Sequence, residues 1–197
     1  MVAPIPLRRR EPPRTTNRRE VVSSPVLAML IFVITELMFF AGFISAFTIM
    51  RGSAVIWPPP GQPRLPAAET AVNTVVLLAS GVALVLARRA YNRNAPSARK
   101  PLLAAILLGS FFVLAQGREW VQLIAQGLTM RSSALGSFFY LIVGAHALHA
   151  VVAIGGLVYV YRRLVRGWLP SSVLGAAEVF WYFVVGVWPL IYLRVYL

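Results

Sequence analysis

Residues 26–50 read VLAMLIFVITELMFFAGFISAFTIM, a run interrupted by a single charged side chain, Glu36. An α-helix rises about 1.5 Å per residue, so this run spans roughly 38 Å and can cross the hydrocarbon core of a bilayer. A carboxylate at the middle of a bilayer costs about 2.5 to 3.5 kcal/mol on insertion scales, so such groups face the protein interior, pair or bind a proton. The stretch predicts a transmembrane helix that carries a functionally or structurally important carboxyl group.

The composition places the whole chain among membrane proteins. Of its 197 residues, 58% are hydrophobic and only 13% are charged, which is more apolar than an ordinary soluble domain. Long apolar runs satisfy their backbone groups only as helices, and the alternating pattern of a barrel is absent from the sequence. Cysteine and aspartate are also absent, which excludes disulfides, thiolate metal sites and haem attachment through a cysteine pair. The predicted fold class is all-α, a polytopic helical membrane protein.

Five apolar runs are long enough to span a bilayer, and they follow a polar, arginine-rich segment at residues 1–24. This segment contains RRREPPRTTNRRE and predicts a flexible basic arm. Residues 25–197 then form one transmembrane domain, in which the proline-rich loop WPPPGQPRLP separates the first two spans. The predicted spans are 26–50, 70–91, 101–124, 134–161 and 173–196.

The 19 basic residues are divided unevenly between the two sides of the predicted membrane domain. Most of them lie in the arm and in the connections after the second and fourth spans. The opposite side holds only Arg51, Arg64, Arg118, Arg131 and Arg194. Cytoplasmic segments carry an excess of Lys and Arg, so the N-terminus is predicted in the cytoplasm and the C-terminus outside. The net charge of +13 therefore fits orientation and contact with anionic headgroups, and nucleic-acid binding is not predicted because the sequence contains no folded basic domain.

The helical period places Glu36 on an aromatic face of the first span. Five phenylalanines share that face: Phe32, Phe39, Phe40, Phe43 and Phe47. Two interpretations stay open at this point. The carboxyl group either handles protons or faces lipid at a protein interface, or it is a carboxylic acid that hydrogen-bonds to a neighbouring helix for packing.

His146 and His149 lie three residues apart inside the fourth span, so they point to the same side of that helix. They are the only histidines of the chain, and two histidines one turn apart on one helix cannot supply opposite axial ligands of a haem. A metal site is therefore not predicted. The favoured interpretation is a pair of interhelical hydrogen-bonding groups, and a contact of either histidine with Glu36 stays open.

Polar side chains in the other spans are interpreted mainly as packing groups. Asn73 in the second span can hydrogen-bond to a neighbouring helix. Gln116, Glu119 and Trp120 end the third span, where Glu119 and Trp120 are predicted as interfacial anchors. Glu178 lies about one turn into the fifth span and is either partly hydrated or bound to a partner subunit. None of these residues forms a nucleophile with a base, a phosphate loop or a metal site, so the residues alone predict no catalytic centre.

Six segments, in order along the chain, resemble subunit III of the haem-copper cytochrome c oxidases. ITELMFFAGFISAF (34–47) places Glu36 on the family's Ile-Ser-Glu motif, and GSFFYLIVGAHALHAVVAIGG (136–156) places His146 and His149 on its Gly-x-His-x-Leu-His motif. The last helix has Tyr182 and Val185 where the family usually has histidine and aspartate. The chain is identified as a five-helix bacterial form of this family. The other four segments are WPPPG (57–61), VNTVVLLASGVAL (72–84), LGSFFVLAQGREW (108–120) and FWYFVVGVWPLIYLRVYL (180–197).

The resemblance implies a non-catalytic membrane subunit of a terminal oxidase that reduces oxygen to water and pumps protons. It implies no cofactor on this chain, haem and copper on the partner subunits I and II, and bound phospholipid. It also implies the bacterial cytoplasmic membrane as the location, with membership of a larger respiratory supercomplex as a further expectation. Three alternatives stay open: a related subunit of a quinol oxidase or nitric oxide reductase, a small proton-coupled transporter, and an assembly factor that is absent from the mature enzyme.

The same resemblance assigns roles to individual residues. Glu36 becomes the carboxyl group of a lipid cleft that supports proton uptake, and His146 and His149 become its polar neighbours. Seven further residues are expected to contact lipid or a partner subunit: Trp57, Asn73, Gln116, Glu119, Trp120, Glu178 and Trp181.

Overall fold

The computed structural model of the chain describes residues 23–57 and 59–197, so the predicted basic arm at 1–24 lies almost entirely outside the described residues. Five helices in the described part are long and apolar enough to cross a membrane, which confirms the predicted all-α membrane fold. Most of them begin a few residues before the predicted span. The helices are α1 (Ser24–Gly52), α2 (Ala67–Arg93), α3 (Arg99–Ala125), α4 (Ala134–Val165) and α5 (Ser171–Ile191).

Helix boundaries follow from a few residues with special backbone properties. Pro25 lies in the first turn of α1, where its missing N–H leaves no hydrogen bond unmade. Ser133 precedes α4, and its hydroxyl accepts a hydrogen bond of 3.1 Å from the Gly136 N–H. Gly127 and Gly167 follow α3 and α4 with φ values of +90° and +77°, the left-handed conformation that commonly ends a helix.

The end of the chain continues α5 with a change in helical pitch. Pro189 lies inside α5, and residues Tyr192–Tyr196 then form a π-helix. The guanidinium of Arg51, at the end of α1, donates to the carbonyl oxygen of Arg194 at 3.2 Å and to that of Leu197 at 2.7 Å. These bonds satisfy carbonyl groups of the last turn and join the ends of α1 and α5.

The helices run alternately up and down, and α5 occupies the centre of the bundle. It packs against α1, α2 and α4, while α3 packs against α2 and α4. The Tyr91 hydroxyl donates to the Leu169 carbonyl at 2.7 Å and joins the end of α2 to the segment before α5. At the opposite end of the bundle, the Tyr192 hydroxyl donates to the Ala67 carbonyl at 3.1 Å. We call this second end, where α1, α3 and α5 finish, the carboxyl-terminal end.

Helix α1 is attached to the bundle by a narrow line of side chains. Its buried residues are Val33, Phe40 and Phe47, which are spaced seven apart and therefore lie on one side of the helix. Residues on the other faces are exposed, with 71% of Met38 and 73% of Ile49 accessible. Most of the surface of α1 therefore faces outward from the chain.

The Trp181 side chain of α5 reaches α3 at a glycine. Trp181 is fully buried, and its ring lies against Gly109 of α3. A Cβ atom at residue 109 would lie 2.5 Å from the Trp181 Cη2 atom. Small residues in membrane helices leave room for such close packing contacts, which hold the helices together.

Candidate functional site

Glu36 on α1 contacts His149 on α4, so the structure joins two of the residues singled out from the sequence. The Glu36 Oε2 atom lies 3.1 Å from the His149 Nε2 atom. The two side chains are 21% and 15% exposed, so the pair lies at the edge of the bundle and is open to its surroundings on one side. The contact links α1 to α4 in the apolar middle part of both helices.

His149 also forms a hydrogen bond within its own helix. The Ala145 carbonyl oxygen can only accept, so the Nδ1 atom, which lies 2.7 Å from it, is the donor. The other ring nitrogen, Nε2, is the atom that faces the Glu36 carboxyl group. The pair therefore brings together a carboxyl group and an imidazole nitrogen, two groups whose chemistry includes both donating and accepting a proton.

Aromatic rings surround the imidazole of this pair. The His149 ring lies 5.6 Å from Phe40 of α1, and 5.7 Å and 6.2 Å from Phe183 and Phe180 of α5. Apolar walls lower the local dielectric and strengthen the attraction between the two polar groups. The sequence placed Phe40 on the face of Glu36, whereas the two phenylalanines of α5 become part of the site only through the fold.

His146 differs from its neighbour, because the structure corrects the prediction that it forms interhelical hydrogen bonds. The side chain is 1% exposed, and neither ring nitrogen has a hydrogen-bond partner among the described residues. Its ring lies between Phe40, Phe112 and Trp188, at centroid distances of 6.2, 6.2 and 4.9 Å. His146 therefore packs in the aromatic core, one turn away from the Glu36 pair.

A second polar cluster joins α2, α3 and the π-helix at the carboxyl-terminal end of the bundle. The Glu119 Oε2 atom accepts hydrogen bonds from the Thr70 hydroxyl at 3.0 Å and from the Gln116 amide at 2.7 Å. The same amide donates to the Tyr196 hydroxyl at 2.9 Å. Glu119 is 4% exposed, so its carboxyl group lies inside the chain and not on the exposed helix surface expected of an interfacial anchor. Its carboxyl group is held inside the chain because hydroxyl and amide donors converge on it.

Asn73 and Gln116 also lie mostly inside the chain, and their expected contacts with lipid or a partner stay predictions. They are 4% and 3% exposed. The Asn73 amide donates to the Phe112 carbonyl at 3.2 Å and approaches the Gln116 Oε1 atom at 3.4 Å. Both residues hold α2 against α3, as the packing interpretation of Asn73 proposed.

Glu178 forms an ion pair with Arg88 at the opposite end of the bundle, and its expected contact with water or a partner stays a prediction. The Oε2 atom of Glu178 accepts from the Arg88 Nε at 2.8 Å, and the Nη2 atom lies 2.6 Å away. A further bond of 3.1 Å runs from the guanidinium to the Ser171 hydroxyl. The carboxyl side chain is 9% exposed and the arginine side chain 25% exposed, so the pair is largely withdrawn from the surroundings. It ties the end of α2 to the beginning of α5.

The three tryptophans expected to contact lipid or a partner have different environments. Trp181 is fully buried with its ring against Gly109 of α3, so it has no surface within this chain for the expected contact. Trp57 is partly buried, with its ring 5.8 Å from Phe47 and the Arg51 guanidinium 5.5 Å from its centroid. Trp120 is also partly buried, and its ring packs 5.6 Å from Tyr140. Trp57 and Trp120 therefore keep some surface for other molecules.

Sequence reasoning missed three partners of these polar groups. Arg88 was treated only as a charge that orients the chain, and Thr70 only as the start of a span. Tyr196 was treated as the end of a span. Their roles depend on which helices meet, and periodicity within one helix does not contain that information. In the described residues, no three His, Cys, Asp or Glu side chains come together to form a metal site.

Comparisons with known proteins agree with this arrangement. Residues 15–197 match the protein family described as cytochrome c oxidase subunit III. The chain is 35% identical to the cytochrome c oxidase subunit 3 of Papio hamadryas over 180 residues, which cover 85% of this chain and 67% of the relative. It is 32% identical to the probable cytochrome c oxidase subunit 3 of Mycobacterium leprae over 185 residues, which cover 91% of this chain and 89% of the relative. The quinol oxidase, nitric oxide reductase and transporter alternatives are therefore not favoured. The chain belongs to the cytochrome c oxidase subunit III family, the non-catalytic membrane subunits of the oxygen-reducing haem-copper oxidases.

Proposed function

We propose that this chain is embedded in the bacterial cytoplasmic membrane and binds the oxidase subunits I and II that carry haem and copper. Its N-terminus then lies in the cytoplasm and its C-terminus outside. The positive charge on the connections after α2 and α4 supports this orientation. The large exposed apolar surface of α1 supports close contact with lipid or with another subunit. The family name supports cytochrome c as the electron donor.

We further propose that the Glu36–His149 pair is a proton-holding site that supports proton uptake by the complex. The contact of 3.1 Å carries the proposal, because a single proton shared by an acid and an imidazole can be exchanged with little rearrangement. The partial exposure of both side chains supports exchange with water that reaches them from outside the chain. The aromatic walls favour a pair that stays neutral overall.

The experiment replaces each member of the pair by glutamine in the purified complex. Glu36→Gln and His149→Gln keep a polar group within hydrogen-bonding reach but remove the group that can gain or lose a proton. His146→Gln is the matched control, because it makes the same change one turn away at a residue that does not touch Glu36. The measurements are the number of oxygen molecules reduced before inactivation and the infrared carboxyl band in light and heavy water.

We expect Glu36→Gln and His149→Gln to assemble with the partner subunits and to inactivate after severalfold fewer turnovers. The deuterium-sensitive carboxyl signal of the pair should disappear in Glu36→Gln and change in His149→Gln. The control should keep both the signal and the turnover lifetime. Wild-type lifetimes in both pair variants would refute the proton role and leave the pair as a packing contact.

A further inference from the structure

A groove between α2 and α3 opens on the outside of the bundle, away from the Glu36 pair. It has a volume of about 600 Å³ and begins at the carboxyl-terminal end of the bundle. Helix α1 contributes no residue to it. The groove is therefore separate from the face of α1 and α4 on which the Glu36 pair lies.

The groove is charged at its rim and apolar below. Glu69 of α2 and Arg118 of α3 form the rim, and both side chains are exposed. The exposed part of the wall below them consists of Val72, Leu114 and Phe111, which are 68%, 74% and 58% exposed. The buried side chains of Asn73 and Glu119 and the half-buried Ala115 complete the lining. The three exposed wall residues lie about one to two helical turns from the rim, or roughly 5 to 10 Å along the helix axis. A molecule that fills the groove must carry a polar head at one end and an apolar chain at the other.

The two charged side chains of the rim, Glu69 and Arg118, take part in no ion pair within the described residues. The ion pairs of residues 23–57 and 59–197 are Arg88–Glu178 and Glu36–His149. Glu119, next to Arg118 in the sequence, already accepts hydrogen bonds from the Thr70 hydroxyl and the Gln116 amide. The rim charges therefore match a head that also carries one negative and one positive group.

We propose that this groove binds a phospholipid with a primary-amine headgroup, of the phosphatidylethanolamine class. The Arg118 guanidinium binds the phosphate, because arginine donors match phosphate oxygens in a bidentate arrangement. The Glu69 carboxylate accepts hydrogen bonds from the ammonium group. The first part of one acyl chain lies along Leu114 and the other apolar wall residues. Phosphatidylcholine lacks the ammonium N–H donors that Glu69 needs, and phosphatidylglycerol lacks the positive charge.

The test is native mass spectrometry of the purified complex after exchange with phosphatidylethanolamine, phosphatidylcholine or phosphatidylglycerol. Arg118→Gln removes the phosphate partner, and Glu69→Gln removes the ammonium partner. Arg131→Gln is the matched control, because Arg131 is exposed at the same end of the bundle but outside the groove. Leu114→Trp fills the apolar wall, and Leu148→Trp makes the same change at an exposed position of α4.

We expect one tightly retained phosphatidylethanolamine for each copy of the chain. Arg118→Gln and Leu114→Trp should lower its occupancy severalfold, while Arg131→Gln and Leu148→Trp should not. Glu69→Gln should abolish the preference for phosphatidylethanolamine over phosphatidylcholine.

Three results would overturn the proposal, provided that the variants still carry all partner subunits. Equal retention of the three lipids would mean a nonspecific lipid shell. Preference for phosphatidylglycerol, with no effect of Glu69→Gln, would mean a site for an anionic lipid. Crosslinking of a photoreactive residue at 114 to another subunit, with no lipid released, would mean that a partner helix fills the groove.

Discussion

Gly109→Ala gives a direct test of the packing between α3 and α5. The added Cβ atom would lie 2.5 Å from Cη2 and 2.7 Å from Cζ2 of Trp181. Carbon atoms pack best at about 3.5 to 4.0 Å, so the helices or the indole ring must move by roughly 1 Å. The ring is fully buried and cannot swing outward. Overpacking of this kind lowers the free energy of unfolding by about 1 to 3 kcal/mol.

A control is needed because alanine is also a better helix former than glycine, by about 1 kcal/mol. Gly117→Ala provides it, since residue 117 lies on the same helix and a Cβ there would meet no atom within 4 Å. The difference between the two variants therefore isolates the packing effect. The measurement is the loss of helical circular dichroism as a denaturing detergent is added to the chain in mild detergent micelles.

A double variant shows whether the indole ring is the cause. Trp181→Phe shortens the ring that contacts residue 109, so it should recover much of the stability lost in Gly109→Ala. We expect the two substitutions to be coupled by about 0.5 to 3 kcal/mol in a double-mutant cycle. If Gly109→Ala unfolds at the same detergent concentration as Gly117→Ala, the contact between the Trp181 ring and Gly109 described above is incorrect.

Two further substitutions test the polar contacts. Glu178→Gln should lower the free energy of unfolding by about 3 kcal/mol, because it leaves the partly buried Arg88 guanidinium without its counter-charge. The double variant Glu178→Leu with Arg88→Leu should recover most of this stability in the same detergent titration. If Glu178→Gln had the same free energy of unfolding as the unsubstituted chain, this result would contradict the Arg88–Glu178 ion pair. Thr70→Val should lower the free energy of unfolding by about 1 to 2 kcal/mol, because it removes a hydrogen-bond donor to Glu119. Thr48→Val is the control: it removes only a hydrogen bond within an exposed helix turn and should change the free energy of unfolding by less than about 0.5 kcal/mol. Equal effects of the two threonine substitutions would argue against the Glu119 cluster.

The helices could be predicted from the sequence because each is a long apolar run with proline, serine or glycine near its ends. Those signals are local, and a membrane requires every run to satisfy its backbone hydrogen bonds within itself. The position of Glu36 within its helix follows from the same reasoning. The boundaries moved outward by a few residues because helical turns continue into the polar flanking segments.

The contacts between helices could not be predicted in the same way. Glu119 was assigned to the interface because it lies near the end of a span, yet Thr70 and Gln116 bring it inside the chain. His146 and His149 have the same residue type and similar neighbours in the sequence, but only His149 lies beside Glu36. His149 lies at the level of Glu36, whereas His146 lies one turn further along α4, beside Phe40 and Trp188. Which level of α4 meets Glu36 depends on packing across the whole bundle.

The heptad line of Val33, Phe40 and Phe47 has a consequence for the first helix as a whole. Along this line α1 contacts α5 extensively and α4 less so. Its remaining apolar faces need a cover of acyl chains or of a neighbouring polypeptide. Because Glu36 lies on α1 and His149 lies on α4, the distance between the two side chains depends on this cover as well as on the packing within the chain.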